Sequence, residues 1–159
     1  MKVLIITYYW PPAGGSGVQR WLKFVKYLQN FDIEPLVYTV ENANYPKEDT
    51  SLNNEVPKNV KVLKQPIWEP TDLLFWKQKN QQKSDVSNAV NNGFLSFIRG
   101  NFFIPDPKVF WVNSSVKYLH KYLQENKVDV IISTGPPHSM HLIAEKLKKK
   151  NKIKWIADF

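Results

Sequence analysis

Residues 1–28 read MKVLIITYYWPPAGGSGVQRWLKFVKYL, and this stretch decides the fold class. Lys2 to Thr7 (KVLIIT) is a nearly continuous apolar run, the pattern of a strand buried on both faces of a parallel sheet. Pro11 and Pro12 end it. After three glycines, Val18, Trp21, Leu22, Val25 and Leu28 recur at i, i+3, i+4, i+7 and i+10, which is one apolar stripe of a helix, with Arg20, Lys23 and Tyr27 pointing elsewhere. A buried strand joined to an amphipathic helix through a glycine loop is the opening unit of an open α/β sheet.

The same alternation continues outward. Ile33 to Val40 (IEPLVYTV) reads as a second strand, with Pro35 tolerated near its start, and Val60 to Lys64 (VKVLK) as a third. In the second half, Val112, Val116, Leu119 and Leu123 mark a helix, and residues 128–134 (VDVIIST) a buried strand. Met140, Ile143, Ala144 and Leu147 mark another helix, with Ser139 placed to cap its start, and KIKWIADF (152–159) supplies a last strand. The fold expected is α/β, a Rossmann-like open parallel sheet with flanking helices. Between the halves, residues 41–58 are polar and read as a long surface loop. Residues 66–104 set aromatic clusters around a polar spacer, KQKNQQKSDVSNAVNN, whose pattern fixes no element.

Composition bounds the function. The chain has 159 residues, enough for one domain, with 43% hydrophobic and 14% aromatic content to fill a core. A net charge of +8 implies anionic company: nucleic acid, phosphorylated small molecules or an acidic membrane surface. With no cysteine there is neither a disulfide framework nor a cysteine zinc site. The segment after Met1 reads as a strand and not as a signal peptide, and no apolar run is long enough to span a bilayer, so the compartment expected is the cytoplasm.

Gly14, Gly15 and Gly17 fall between the carboxyl end of the first strand and the start of the first helix, the place where open parallel sheets bind ligands. Backbone N–H groups there, free of side chains, suit a phosphate or a sugar hydroxyl. The bland alternative is a tight turn. A nucleotide-triphosphatase loop would need Gly-Lys-Ser/Thr where Gly17, Val18 and Gln19 stand, and a dinucleotide fingerprint would need glycine at Arg20, although Glu41 lies where a ribose-binding acid would be. A nicotinamide-dependent oxidoreductase half is disfavoured on that ground.

Four segments together carry a resemblance: YYWPPAGGSGVQRWLKFVKYL, IPDPKVFW, VDVIISTGPPHSMHLIAEKL and the terminal KWIADF. In this order they resemble the amino-terminal domain of a retaining glycosyltransferase of the GT-B fold, family 4. The resemblance implies a two-domain enzyme with its active site in the cleft between two Rossmann-like domains. Residues 1–159 would be the amino-terminal, acceptor-side domain, and the carboxyl-terminal domain, absent from this chain, would hold the nucleotide sugar. In relatives the strand resembling KWIADF continues into Arg-Asp-Pro-Trp. The implied activity is transfer of a sugar from a nucleotide-sugar donor to a glycan or lipid-linked acceptor, with no metal and no further cofactor, and the isolated domain is expected to be inactive.

Particular residues follow. Gly14, Gly15 and Gly17, with Arg20 one turn further, are candidates for binding the donor's phosphate or sugar, since N–H donors and cations stabilise a departing diphosphate. The alternative for Arg20 is an exposed surface arginine. His138, in TGPPHS, lies at the same sheet edge and is the candidate catalytic residue, because a neutral imidazole there can bond a hydroxyl and relatives carry a cleft histidine near this point. His141 is its rival, and His120 reads as a helix-surface residue. Asp106, between two prolines, with Trp111 one turn on, forms a candidate acceptor-binding pair of carboxylate and aromatic face; the alternative is that Asp106 caps a helix. Asp158 is also placed at the edge. The three histidines do not cluster with carboxylates at ligand spacing, so no metal site is expected.

The lysine run KLKKKNKIK (146–154) suits the negative end of a helix dipole. The sharper reading is peripheral contact with an anionic membrane, helped by FLSFIRGNFF (94–103). Nucleic acid is not expected, since no recognised module accompanies the charge. The competing functional class is a stand-alone, non-catalytic nucleotide- or sugar-binding module.

Overall fold

The structure, a computed structural model, describes residues 1–67 and 104–159. Its described elements are β1 (Lys2–Ile6), α1 (Ser16–Leu28), β2 (Glu34–Val40), β3 (Lys61–Gln65), α2 (Val109–Glu125), β4 (Val130–Thr134), α3 (Ser139–Asn151) and β5 (Lys154–Asp158). The strands form one sheet in the order β3-β2-β1-β4-β5, and every pairing is parallel. The chain is therefore an α/β Rossmann-like open sheet, with the strands that were read from the sequence each present within a residue or two at their ends.

Alternation along β1 explains its apolar run. Val3 and Ile5 face one side, where Val18, Trp21, Leu22 and Val25 of α1 pack with Val37. Leu4 and Ile6 face the other, against Trp111, Val116 and Leu119 of α2 and Met140, Ile143 and Leu147 of α3. All four β1 side chains are 2% exposed or less, so each contributes about 1.5–3 kcal/mol relative to an exposed position. The sheet direction reverses at β1: the chain builds β2 and β3 on one flank, then returns to place β4 and β5 on the other. That reversal opens a crevice at the carboxyl ends of β1 and β4, the topological switch point where such sheets bind ligands.

The polar stretch 41–58 is more ordered than its composition suggests. Thr50–Glu55 form a short 3-10 helix with Leu52 buried, and Ala13 pairs with Glu48 in an antiparallel bridge. Gly14 N donates to Lys47 O at 2.9 Å and Asp49 N to Pro12 O at 2.7 Å, so this stretch clamps the glycine loop from outside. The aromatic clusters and spacer from 68 to 103, including FLSFIRGNFF, lie outside the described residues. Among the described residues no helix is long and apolar enough to cross a membrane.

Candidate functional site

A cavity of about 360 Å³ occupies the crevice. Gly14 to Val18, Arg20 and Trp21 form one wall, and Thr134, Gly135 and Pro136, from the loop after β4, form the other. The three glycines do different work. Gly14 is tightly packed, since a side chain there would meet Lys47 Cγ at 3.3 Å. Gly15 is the N-cap of α1 and has φ 123°, a conformation that side chains disfavour. Gly17 sits in the first turn of α1, where a Cβ would meet nothing within 4 Å. Gly15 at the N-cap offers no side chain and the first turn of α1 carries no acidic residue, so among the described residues the leading N–H groups and the positive end of the dipole have no anion of their own turn.

The start of α3, at the same edge, is closed. Asp106 Oδ2 accepts from Ser139 N at 2.7 Å and Asp106 Oδ1 from Ser139 Oγ at 2.8 Å, while the same Oδ1 accepts from Lys108 N at 2.9 Å. One carboxylate thus caps two helix starts. Ser139 is not itself the cap, as the local pattern suggested: His138 holds the N-cap position without a side-chain bond, and the acceptor arrives from thirty-three residues upstream. Asp106 is consequently engaged with protein donors through both oxygens. The pairing with Trp111 is corrected as well, because Trp111 is 1% exposed and stacks on Tyr38 with ring centroids 5.1 Å apart. Its ring belongs to the core between α2 and the sheet and presents no face to an acceptor.

Arg20 is neither free nor idle. It forms an ion pair with Asp158 Oδ2, which also accepts from Trp21 Nε1 at 3.2 Å and from Thr134 Oγ1 at 2.7 Å. Asp158 thereby ties α1, β4 and β5 together at the floor of the crevice. The guanidinium still has donors beyond the one spent on Asp158.

His138 does not line the cavity. Its exposed ring stands over Gly135, which does. A Cβ on Gly135 would lie 3.0 Å from His138 Nδ1 and 2.9 Å from His141 Nε2, so only glycine lets both imidazoles approach this loop. The rings are 5.8 Å apart, and Phe159 lies 4.5 Å from that of His141. His141 is buried, with Nδ1 2.8 Å from Ser133 Oγ, and Ser133 Oγ accepts from Trp155 Nε1 at 2.8 Å. Burial, and then the neighbouring His138, hold the His141 imidazole below its ordinary pKa, partly opposed by Asp158 and Asp106. His120 is away from this edge, bonded through Nδ1 to Asn151 at 3.0 Å. Among the described residues no three His, Cys, Asp or Glu side chains group as a metal site.

Sequence reasoning passed over Ser133 and Trp155. Both sit in strand patterns that read as plain core, and nothing local marks the bond between them. The sign available was the pairing of β4 with β5, which sets Ser133 opposite Ala157 and brings Trp155 within reach on the same face.

Two crystal structures of the carboxyl-terminal domain of a hydrogenase from Pyrococcus furiosus are similar to this chain, with TM-scores of 0.55 and 0.51 at 16% sequence identity. The match covers 99% and 98% of this chain and 90% and 89% of those domains. This likeness concerns the fold. No protein-family model and no curated protein matches the sequence.

Proposed function

We propose that residues 1–159 are the acceptor-side, amino-terminal domain of a GT-B glycosyltransferase of family 4, transferring a sugar from a nucleotide-sugar donor to a glycan or lipid-linked acceptor. One observation carries the reading: the four segments that resemble the family, spread from Tyr8 to Phe159, meet at one edge of the sheet. The first and third line the cavity, Asp158 of the fourth bonds Arg20, Trp21 and Thr134, and Asp106 of the second caps the helix of the third.

The chemistry this edge offers is electrostatic. A nucleoside diphosphate leaving group gains negative charge as the glycosyl bond breaks, and the open first turn of α1 supplies preorganised N–H donors to such charge. Arg20 adds a cation held in place by Asp158. His138 offers an exposed imidazole beside Gly135, suited to an acceptor or donor hydroxyl. The lysine-rich end of α3, at the opposite end of the strands from this cavity, is the surface that would meet an anionic membrane.

The test is transfer by the product of the full reading frame, followed by mass spectrometry over a panel of nucleotide sugars. Gly17→Val is the discriminating variant, because its Cβ meets no neighbour within 4 Å and the fold can accept it. Turnover is expected to fall by on the order of a hundredfold as backbone donors are blocked, with the melting curve nearly unchanged. Unaltered turnover would confine the glycines to the turn, and absence of transfer with every donor would remove the glycosyltransferase reading.

A further inference from the structure

We infer that the outer edge of β5 is a docking surface for a second copy of this chain, the two β5 strands pairing antiparallel about a two-fold axis at Ile156. The inference goes beyond the reading of the cavity and does not rest on it. β5 closes the strand order β3-β2-β1-β4-β5, so among the described residues no strand lies outside it. Gly135 N donates to Asp158 O at 3.0 Å, and in this parallel register the backbone groups of Lys154, Ile156 and Asp158 point at β4. Those of Trp155 and Ala157 alternate with them and point outward, as N–H and C=O groups without a strand to bond. KWIAD contains no proline and its register with β4 is unbroken, so neither proline nor a bulge blunts this edge.

The residues of the edge specify the occupant. Turned antiparallel about Ile156, the stretch 153–159 (IKWIADF) is complementary to itself. Lys154 meets the partner's Asp158, Trp155 meets the partner's Ala157, Ile153 meets the partner's Phe159, and Ile156 meets its own copy. The outward backbone groups fall in the same register, because Trp155 then exchanges both N–H···O=C bonds with the partner's Ala157. Ile156 and the Lys154–Asp158 couples become the non-hydrogen-bonded pairs, whose side chains approach most closely. A slip of one residue misaligns the backbone groups, and a slip of two sets Lys154 or Asp158 against Ile156. Ile156 is 55% exposed and Phe159 83% exposed, apolar surface that this pairing covers. Lys154 is exposed, and Asp158 spends Oδ2 on Arg20, Trp21 and Thr134, which leaves Oδ1 to accept across the axis. The other edge of the sheet is unlike this one: β3 carries Lys61 and Lys64 and no acid, so it repels its own copy.

The experiment is sedimentation velocity on the 159-residue chain, where a monomer–dimer equilibrium with its midpoint between about 10 and 100 µM is expected for a small interface. Ala157→Pro removes an outward N–H and leaves the ladder to β4 whole, while Ile156→Lys sets two cations together on the axis. Each should weaken the dimer by about tenfold or more, with the far-UV spectrum of the monomer unchanged. The register is read by Ile156→Cys, which places one thiol in a chain that has no cysteine. In a glutathione buffer it should form a disulfide-linked dimer, since the paired Cα atoms would lie about 4.5 Å apart, within the disulfide range. Lys154→Cys faces the partner's Asp158 and not its own copy, so its cross-linking should be about tenfold less. A monomer throughout the concentration range, a dimer indifferent to both Ala157→Pro and Ile156→Lys, or equal cross-linking at residues 154 and 156 overturns the pairing. So does a cross-link that forms in the 159-residue chain and is lost in the product of the full reading frame, because a further segment of that product would then hold the edge. No arm reads sugar transfer, so failure of this pairing is distinguishable from failure of the glycosyltransferase reading.

Discussion

Asp106 and His141 show how single residues set this edge of the sheet. Asp106 joins the start of α2 to the start of α3 with three hydrogen bonds to one carboxylate. Asp106→Ala removes an anion from two helix N-termini and leaves the Ser139 N–H without its acceptor, a loss of about 1–3 kcal/mol measurable as a lower urea midpoint at unchanged m-value. His141 predicts a pH dependence. Its pKa in the folded chain is lowered by burial and His138, whereas the unfolded chain holds an ordinary histidine near about 6.5. Between those two values the unfolded state binds the proton and the folded state does not. Stability therefore falls as pH drops below about 6.5, and the loss levels off once the folded form is protonated as well. Thermal melts at descending pH should show this slope, and His141→Gln should flatten it. A carboxylate between two prolines was legible as a cap or a ligand group, but its partner lies thirty-three residues away, beyond any local pattern. Trp111 misled for a related reason: an aromatic one turn into a helix reads the same whether it faces a cleft or, as here, Tyr38.

At the scale of elements, the strands and helices were legible because their apolar periods of two and 3.6 residues are set by the core they face. The ends were less so. α1 begins at Ser16, two residues before its apolar stripe, because Gly15 at φ 123° turns the chain into the helix without a side-chain cap. The clamp from residues 47–49 was invisible, since backbone bonds such as Gly14 N to Lys47 O leave no signature in side-chain type. The far end of α3 carries a testable strain. Lys152 closes that helix at φ 55° and ψ 35°, a left-handed conformation that glycine adopts more readily. Lys152→Gly should stabilise the chain by about 0.5–1 kcal/mol, read as a raised denaturation midpoint; an unchanged or lower midpoint would mean that the lysine side chain contributes more there than its backbone costs.

At the scale of the whole molecule, one group of described lysines and the cleft lie at opposite ends of the strands. Lys127, Lys150, Lys152 and Lys154 border a recess of about 570 Å³ at the starts of β4 and β5, whereas the glycine cavity opens at the ends of β1 and β4. Among the described residues, Arg20 is the basic residue lining the cavity, and it is already paired with Asp158. Such an arrangement limits what these 159 residues can do alone. A cavity of about 360 Å³, near the small end of ligand pockets, can seat a phosphate or one sugar ring against α1 but leaves most of a nucleotide sugar in water. If a second domain supplies the rest of the donor site, the isolated chain should fold, transfer no sugar, and bind nucleotide sugars more weakly than about 1 mM by calorimetric titration. The product of the full reading frame, titrated alongside, should bind at least a hundredfold more tightly. Stoichiometric binding by residues 1–159 at micromolar concentration would overturn the two-domain assignment and put a stand-alone nucleotide- or sugar-binding module in its place, with the open start of α1 as its complete site.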